Sequence, residues 1–251
     1  MVLTPALPVV LIRGLTREQR HWGSFRPLLA HRLEQNVFSF DFAGCGALHK
    51  MRSPADIDGL MQSVRCQLLQ QQRHKMPVHL VALSLGGMLA LQWALQHPDE
   101  VASVTLINSS ARPLSPFYQR LRWQRFSTVL RLPWLSQAER ERQILQLSSA
   151  RPSQQADTLQ QWLCWQQQRP VGTGNAFRQL LAASRFSLRH KPTCPVLVLS
   201  SLGDSLVNPQ CSDALAAFLT AEHQQHDWAG HDIALDDPQW LAEQIAKFLR
   251  R

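Results

Sequence analysis

The sequence predicts an α/β fold: a mainly parallel β-sheet with helices on both faces. Short apolar runs alternate with longer amphipathic segments along most of the chain, which is the pattern of strand–helix units. The apolar runs are continuous rather than alternating, as is typical of strands buried on both sides. The chain has 251 residues, 45% of them apolar and 18% charged, which suffices for one large domain or a core with an insertion.

The first part of the chain contains four predicted strands and two predicted helices. The strands are the apolar runs at residues 8–14, 36–42, 77–83 and 101–110. Apolar side chains recur at offsets of three and four in the first helical segment, and the turn HPDEV ends the second. These helices are predicted over residues 54–72 and 84–96.

The last part of the chain repeats the alternation, and a segment without strands precedes it. Strands are predicted at residues 194–201 and, more weakly, 223–228, and helices at residues 209–219 and 237–249. Residues 111–190 contain no strand-like run, and a structureless loop of that length is implausible in a compact domain. We therefore predict a core formed by residues 1–110 and 191–251, with residues 111–190 inserted as a helical cap.

The net charge of +8 is concentrated in the predicted cap. Residues 112–191 hold thirteen Lys and Arg residues against three acids, whereas the rest of the chain has two more acidic than basic residues. An ordinary solvated helical face explains such a bias, and so does a surface that steers an acidic partner to the protein. Nucleic acid is not the expected partner, because no recognised binding module accompanies the charge.

The cysteines and the lengths of the apolar runs indicate in which cellular compartment the protein is expected. The five cysteines are scattered and form no C-x-x-C pair, so we expect free thiols, no disulfide framework and no metal site. No apolar run approaches the roughly 18–20 residues that span a bilayer. The N-terminal apolar run is predicted to be a buried strand rather than a signal peptide. A cytoplasmic location is the expectation.

Ser84 stands where a predicted strand ends and a predicted helix begins, in the stretch ALSLGG. A sharp turn at such a junction lifts the serine oxygen above the sheet and places it at a helix N-terminus, which favours developing negative charge. The turn is crowded, so small residues must lie two positions before and after the serine, as Ala82 and Gly86 do. A serine at a helix start is often only an N-cap, so this motif leaves both roles open.

Two further residues complete a catalytic constellation. Asp204 follows the strand at residues 194–201, and His231 lies in the loop WAGHD before the last helix. All three side chains fall at carboxyl ends of parallel strands, where ligand sites of open α/β sheets form. Taken singly, Asp204 could be a turn residue and His231 a solvated loop residue. Their coincidence with Ser84, in the order Ser, Asp, His, predicts a nucleophile, an orienting acid and a general base.

Two backbone N–H groups are the candidates for stabilising an oxyanion. One is that of Leu85, directly after the predicted nucleophile, and the other is that of Leu15, in the loop after the first strand. Gly14 allows the backbone to approach closely there.

These motifs make the chain resemble the α/β-hydrolase superfamily over nearly its whole length, especially single-domain esterases with a helical cap, such as carboxylesterases and acyl-carrier methyl-ester esterases. The chain departs from the usual family pattern in three places: Arg13-Gly14 replaces His-Gly, DFAGCGAL carries Ala43 where proline is usual, and Ala82 replaces the first glycine of the serine turn. The resemblance implies an α/β-hydrolase fold. The chain begins almost at the first central strand, so about six strands are expected.

The implied activity is hydrolysis of carboxylic esters through an acyl-enzyme, without metal or organic cofactor. A thioesterase with the same residues, or a ligand-binding protein that keeps the fold without turnover, are the alternatives. Substrate-binding side chains are expected at Trp22, Tyr118 and Trp123, although aromatic residues of a cap often serve only to pack it. The expected partner-binding residues are the cap arginines Arg120, Arg122, Arg125, Arg140 and Arg142. Candidate partners are a small-molecule or carrier-linked acyl ester, an acyl carrier protein, an anionic lipid surface and an acyl-CoA.

Overall fold

The computed structural model describes residues 7–71 and 76–250 of the chain. Residues 1–6, which precede the first predicted strand, and Gln72, the predicted end of a helix, lie outside the described residues. Within these ranges the polypeptide forms one sheet with helices on both faces, as the sequence predicts.

The sheet of the described residues has six strands, and every neighbouring pair is parallel. Its spatial order is β2-β1-β3-β4-β5-β6. β1 and β5 are buried along their whole length, and β3 and β4 at all but one position each, which explains their largely apolar sequences. β6 has the sequence EHQQH, and its polar character suits its place at an edge. The strands are β1 Val9–Ile12, β2 Val37–Ser39, β3 Val78–Leu83, β4 Val101–Ile107, β5 Val196–Ser201 and β6 Glu222–His226.

Eleven α-helices surround this sheet in the described ranges. α1 was not predicted, because a nine-residue helix with only Phe25 and Leu29 buried shows too little periodicity to be recognised. The helices are α1 Phe25–Leu33, α2 Ile57–Gln71, α3 Leu85–Gln96, α4 Phe117–Arg120, α5 Phe126–Arg131, α6 Gln137–Ser148, α7 Ala156–Gln168, α8 Thr173–Arg185, α9 Gln210–Leu219, α10 Ile233–Asp236 and α11 Pro238–Leu249.

Two hydrophobic layers cover the two faces of the sheet. Alternate β1 residues belong to different layers: Val10 packs with residues of α2 and α3, and Leu11 packs with residues of α1 and α11. This alternation follows from the two-residue repeat of side chains along a strand. The layers hold the carboxyl ends of β3, β4 and β5 at a common edge.

Helices α4 to α8 lie between β4 and β5 in the chain. The two ends of this insertion meet, because the N–H of Leu188 donates to the carbonyl of Arg112 at 2.7 Å. The division of the chain into core and cap at residues 111 and 190 stays a prediction. No helix among residues 7–71 and 76–250 is long and apolar enough to cross a membrane. The cytoplasmic location also stays a prediction.

Candidate active site

Ser84 occupies a strained turn between β3 and α3. Its backbone lies at φ 56° and ψ −118°, a left-handed region that L-residues rarely adopt. Such a conformation costs about 1–3 kcal/mol and persists only where the surroundings impose it. A Cβ on Gly86 would lie 2.5 Å from the carbonyl oxygen of Ile12, so only glycine lets α3 pack this closely on the end of β1. The turn sets the serine side chain at the carboxyl edge of the sheet.

Asp204 and His231 contact each other directly. The Asp204 Oδ2 lies 2.7 Å from His231 Nδ1, and the two residues are only 1% and 7% exposed. The other Asp204 oxygen accepts hydrogen bonds from the backbone N–H groups of Leu206 (2.7 Å) and Val207 (2.9 Å). Because a carboxylate only accepts, Nδ1 carries the imidazole proton and Nε2 is left to accept one. The pair therefore has the arrangement of a general base and its orienting acid.

The third predicted side chain is not bonded to this pair. In the part of the chain that the structure describes, no hydrogen bond joins Ser84 Oγ to His231. Catalytic hydrogen bonds are often long without substrate and tighten only in the complex, so this geometry remains compatible with proton transfer. The structure therefore brings two of the three predicted residues into contact and holds Ser84 at the same edge of the sheet.

The surroundings of His231 shift its pKa upward. Burial alone would lower the pKa, but the charge and hydrogen bond of Asp204, together with the charge of Asp232, outweigh it; Arg13 opposes them only weakly. The net effect favours the imidazolium form. A base with a raised pKa accepts a proton more readily, which suits the role that the sequence predicts for His231.

A buried polar network, which sequence reasoning missed, holds the loop of His231. The Asn108 side-chain amide donates to the carbonyl of His231 at 2.9 Å and to Ser201 Oγ at 2.9 Å. Ser201 Oγ in turn donates to the carbonyl of Gly230 at 2.7 Å. Each group is buried and each bond is made, so the network rigidifies the loop. Only the position of Asn108 at the end of β4, in INSS, could have signalled it.

Arg13 and Asp232 form a second feature that the sequence did not predict. Arg13 donates through both terminal nitrogens to the Asp232 carboxylate, and both side chains are buried beside His231. The Arg13 guanidinium also lies over the ring of Trp22, 4.7 Å from its centroid. Trp22 is only 2% exposed and packs in the core with Phe25. This ring supports Arg13 within the core, and the role of Trp22 in binding substrate stays a prediction.

Replacing Arg13 with methionine should lower the free energy of unfolding by about 3–5 kcal/mol, because Asp232 would keep a buried charge without its partner. Chemical denaturation, with the denaturant slope compared between variants, measures this. The control is the double variant Arg13→Met with Asp232→Leu, which removes both charges. It should regain most of the lost stability, and equal instability of the single and double variants would contradict this account of the pair.

The two predicted oxyanion groups are open in the structure. Among the described residues, no acceptor pairs with the backbone N–H of Leu15 or of Leu85. The next amide, of Thr16, donates to Gln179 Oε1 of α8 at 2.9 Å, which ties this loop to the cap. The Leu85 side chain packs in the core, whereas Leu15 is half-buried. Their availability is what an oxyanion site requires, and their role stays a prediction.

The cap is fastened to the loop after β1 by a buried ion pair. Arg17 donates to Glu141 of α6 at 2.7 Å, and its guanidinium lies 4.4 Å from the ring centroid of Trp162 in α7. Neither Arg17 nor Glu141 was singled out in the sequence, because a buried ion pair between distant segments leaves no local pattern. The cap therefore borders the loop that carries Leu15.

Three of the five arginines predicted to bind a partner are engaged inside the cap. Arg120 donates to the carbonyl of Ala183 at 2.6 Å, Arg140 donates to carbonyls of residues 132–135, and Arg142 pairs with Glu139. These contacts help to hold the cap together, and the role of the three arginines in binding a partner stays a prediction. Arg122 and Arg125 form no side-chain hydrogen bond or ion pair with any described residue.

Tyr118 and Trp123 are exposed on the surface of the cap, and their role in binding substrate stays a prediction.

His226 is the histidine nearest in sequence to His231. It accepts the N–H of Ala229 through Nδ1 and faces Asp237 through Nε2, so it has a structural part. No cluster of three metal-ligating side chains occurs in the described ranges.

Comparisons with known proteins identify the fold family. The model of the alpha/beta hydrolase fold matches residues 8–238. A putative carbamate hydrolase RutD of Caulobacter segnis is 27% identical over 260 residues, covering 96% of this chain and 90% of that protein. For the RutD protein of Caulobacter vibrioides the match is 29% over 180 residues and spans 68% of this chain and 64% of that protein. Human monoacylglycerol lipase ABHD6 is 24% identical, covering 96% of this chain and 74% of that protein.

Solved structures agree with this assignment. A thermophilic esterase from Thermogutta terrifontis superposes with a TM-score of 0.76 at 20% identity, covering 98% of this chain and 90% of that one. The putative non-heme bromoperoxidase BpoC of Mycobacterium tuberculosis superposes with a TM-score of 0.76 at 19% identity, covering 100% of this chain and 97% of that one. The strand order, the strained serine turn and the family model agree with the resemblance read from the sequence. The chain belongs to the α/β-hydrolase family.

Proposed function

We propose that the chain is a serine hydrolase that cleaves carboxylic esters through an acyl-enzyme. The observation that carries the proposal is the strained Ser84 turn at the sheet edge that also holds the buried Asp204–His231 pair. Relatives named as a carbamate hydrolase, a monoacylglycerol lipase and an esterase support a hydrolase of this chemical class. The reaction needs neither a metal nor an organic cofactor.

Each residue has one part in the proposed reaction. Ser84 Oγ attacks the ester carbonyl and gives its proton to His231 Nε2, while Asp204 holds the imidazole and stabilises its charged form. The N–H groups of Leu15 and Leu85 stabilise the oxyanion. His231 then protonates the leaving alcohol, and the acyl group stays on Ser84. Water, deprotonated by His231, attacks the acyl-enzyme and releases the acid and the free serine.

A substrate panel tests the proposal. Purified protein is offered p-nitrophenyl esters of increasing chain length and the matching acyl thioesters. Ester turnover above thioester turnover supports the proposed function. The reverse preference points to a thioesterase. If neither class is hydrolysed, but acyl compounds raise the melting temperature, the chain is a ligand-binding protein and the proposal fails.

The pH dependence of kcat/KM should report the raised pKa of His231. The base must be neutral to accept the serine proton, so activity should fall as the pH drops through that pKa. The midpoint of this fall should lie above the ordinary histidine value of about 6.5. The effect on stability has the opposite sign: the folded state favours the imidazolium, and this contribution is lost as the pH rises through the same pKa. The rates are measured at substrate concentrations well below KM. A midpoint of the activity fall at or below pH 6.5 would contradict the role of Asp204.

A further inference from the structure

Residues 117–134, which we call the cap tip, expose large apolar side chains to solvent. Isolated exposed apolar residues are ordinary, but a dense group of large ones marks an interaction surface. The cap tip consists of α4, α5 and the short turns around them. The exposed fractions are 71% for Phe117, 48% for Tyr118, 65% for Trp123, 67% for Leu130 and 82% for Trp134. These residues contribute little to the core, so packing does not explain their presence.

The same segment is positively charged and unbalanced. The cap tip contains four arginines and no acidic residue, and Arg112 lies shortly before it. Arg120 is bound within the cap, but the side chains of Arg112, Arg122, Arg125 and Arg131 form no hydrogen bond or ion pair with any residue in the described ranges. The nearest following acid, Glu139, is already paired with Arg142. These positive charges are therefore not neutralised within the described part of the chain and are available to a negative partner.

The cap tip adjoins the proposed active site. The N–H of Arg122 donates to the carbonyl of Leu206 at 2.8 Å, and that of Asn208 donates to the carbonyl of Gln119 at 2.9 Å. Both bonds reach the loop that begins at Asp204. A partner seated on the cap tip would therefore lie beside the loop that orients His231.

We infer that the cap tip docks on an anionic lipid surface. Trp, Phe and Leu side chains interleaved with arginines are typical of segments that lie in the membrane interface. An acidic protein would match the arginines, but the largely exposed rings of Trp134 and Phe117 match an interface with an apolar interior. The inference rests on the proposed function only for its consequence, which is that acyl esters reach Ser84 from the lipid layer.

Vesicle binding of the full chain tests this inference. The probes are sedimented vesicles of pure phosphatidylcholine and of phosphatidylcholine with one quarter phosphatidylglycerol, at low and at physiological salt. Binding should require the anionic lipid and weaken with salt. Arg125→Gln with Arg131→Gln should weaken binding about 25-fold, at about fivefold per arginine. Trp134→Ala should weaken it about tenfold.

Matched controls separate the surface from general effects. Arg185→Gln with Arg189→Gln removes the same charge from exposed positions outside the cap tip, and Met51→Ala trims an exposed apolar side chain elsewhere; neither should change binding. Ser84→Ala should bind as the parent does, so failure of the ester hydrolase proposal leaves this test intact. Absence of binding to anionic vesicles overturns the inference. So does vesicle binding that the arginine changes weaken but Trp134→Ala leaves unchanged, because the apolar side chains would then not enter the interface. Self-association that Trp134→Ala abolishes also overturns it and indicates a second copy.

Discussion

Replacement of Ser84 by alanine is expected to reduce kcat for ester hydrolysis by about 10⁴-fold or more. The reason is that the reaction loses its nucleophile, while the oxyanion groups and the substrate contacts remain. The fold should be unaffected, because alanine at φ 56° bears the same backbone strain as serine. Turnover of a p-nitrophenyl ester and covalent labelling by a fluorophosphonate are the two measurements.

The matched control is Ser184→Ala, at an exposed serine whose hydroxyl bonds only within its own helix. It should keep full activity and labelling. Ser84→Gly should also be inactive, but should be more stable by about 1 kcal/mol, because glycine relieves the positive φ. Labelling of the Ser84→Ala protein at another serine, with activity retained, would refute Ser84 as the nucleophile.

Replacement of Asp204 by asparagine is expected to reduce kcat by about 10³–10⁴-fold. Asparagine can still accept the N–H groups of Leu206 and Val207 through its oxygen. Its amide nitrogen, however, faces His231 Nδ1 as a donor, so the imidazole proton moves to Nε2 and the base is lost. Steady-state kinetics measure the loss. The acid limb of the pH profile should also move to lower pH, since the charge that raises the pKa of His231 is gone.

A second Asp–His pair in the molecule provides the control. Asp237 Oδ2 lies 3.2 Å from His226 Nε2, outside the candidate site. Asp237→Asn removes a comparable charge beside a histidine and should leave kcat unchanged. If Asp237→Asn abolished activity and Asp204→Asn did not, His226 and not His231 would be the base.

The fold could be predicted because its signals are local. Strands β1, β3, β4 and β5 are buried on both faces, and such strands need continuous apolar runs that are visible in the sequence. The helix α1 escaped because two buried residues in nine form no recognisable pattern. The segment between β4 and β5 was predicted to be helical because strand-like runs are absent from it.

In the candidate site, too, some residues could be predicted from the sequence and others could not. Ser84, Asp204 and His231 could be predicted because each follows a strand, and parallel strands end at one edge. The residues that hold this site in place could not be predicted. Asn108 bonds to His231, which is 123 positions away in the sequence, and Arg13 bonds to Asp232, which is 219 positions away. Only the folded chain shows which distant charges neutralise each other.

The sequence by itself determined the fold class, the family and the order of the candidate catalytic residues, because hydrophobic periodicity and strand ends are local properties. The tertiary structure alone decided the use of the charged and aromatic residues. It placed Trp22 beside Arg13, bound Arg120 and Arg140 to backbone carbonyls of the cap, paired Arg142 with Glu139 on the surface, and left Trp134 and Arg131 exposed. The physical reason is that the burial and pairing of a long side chain depend on neighbours that are distant in the chain.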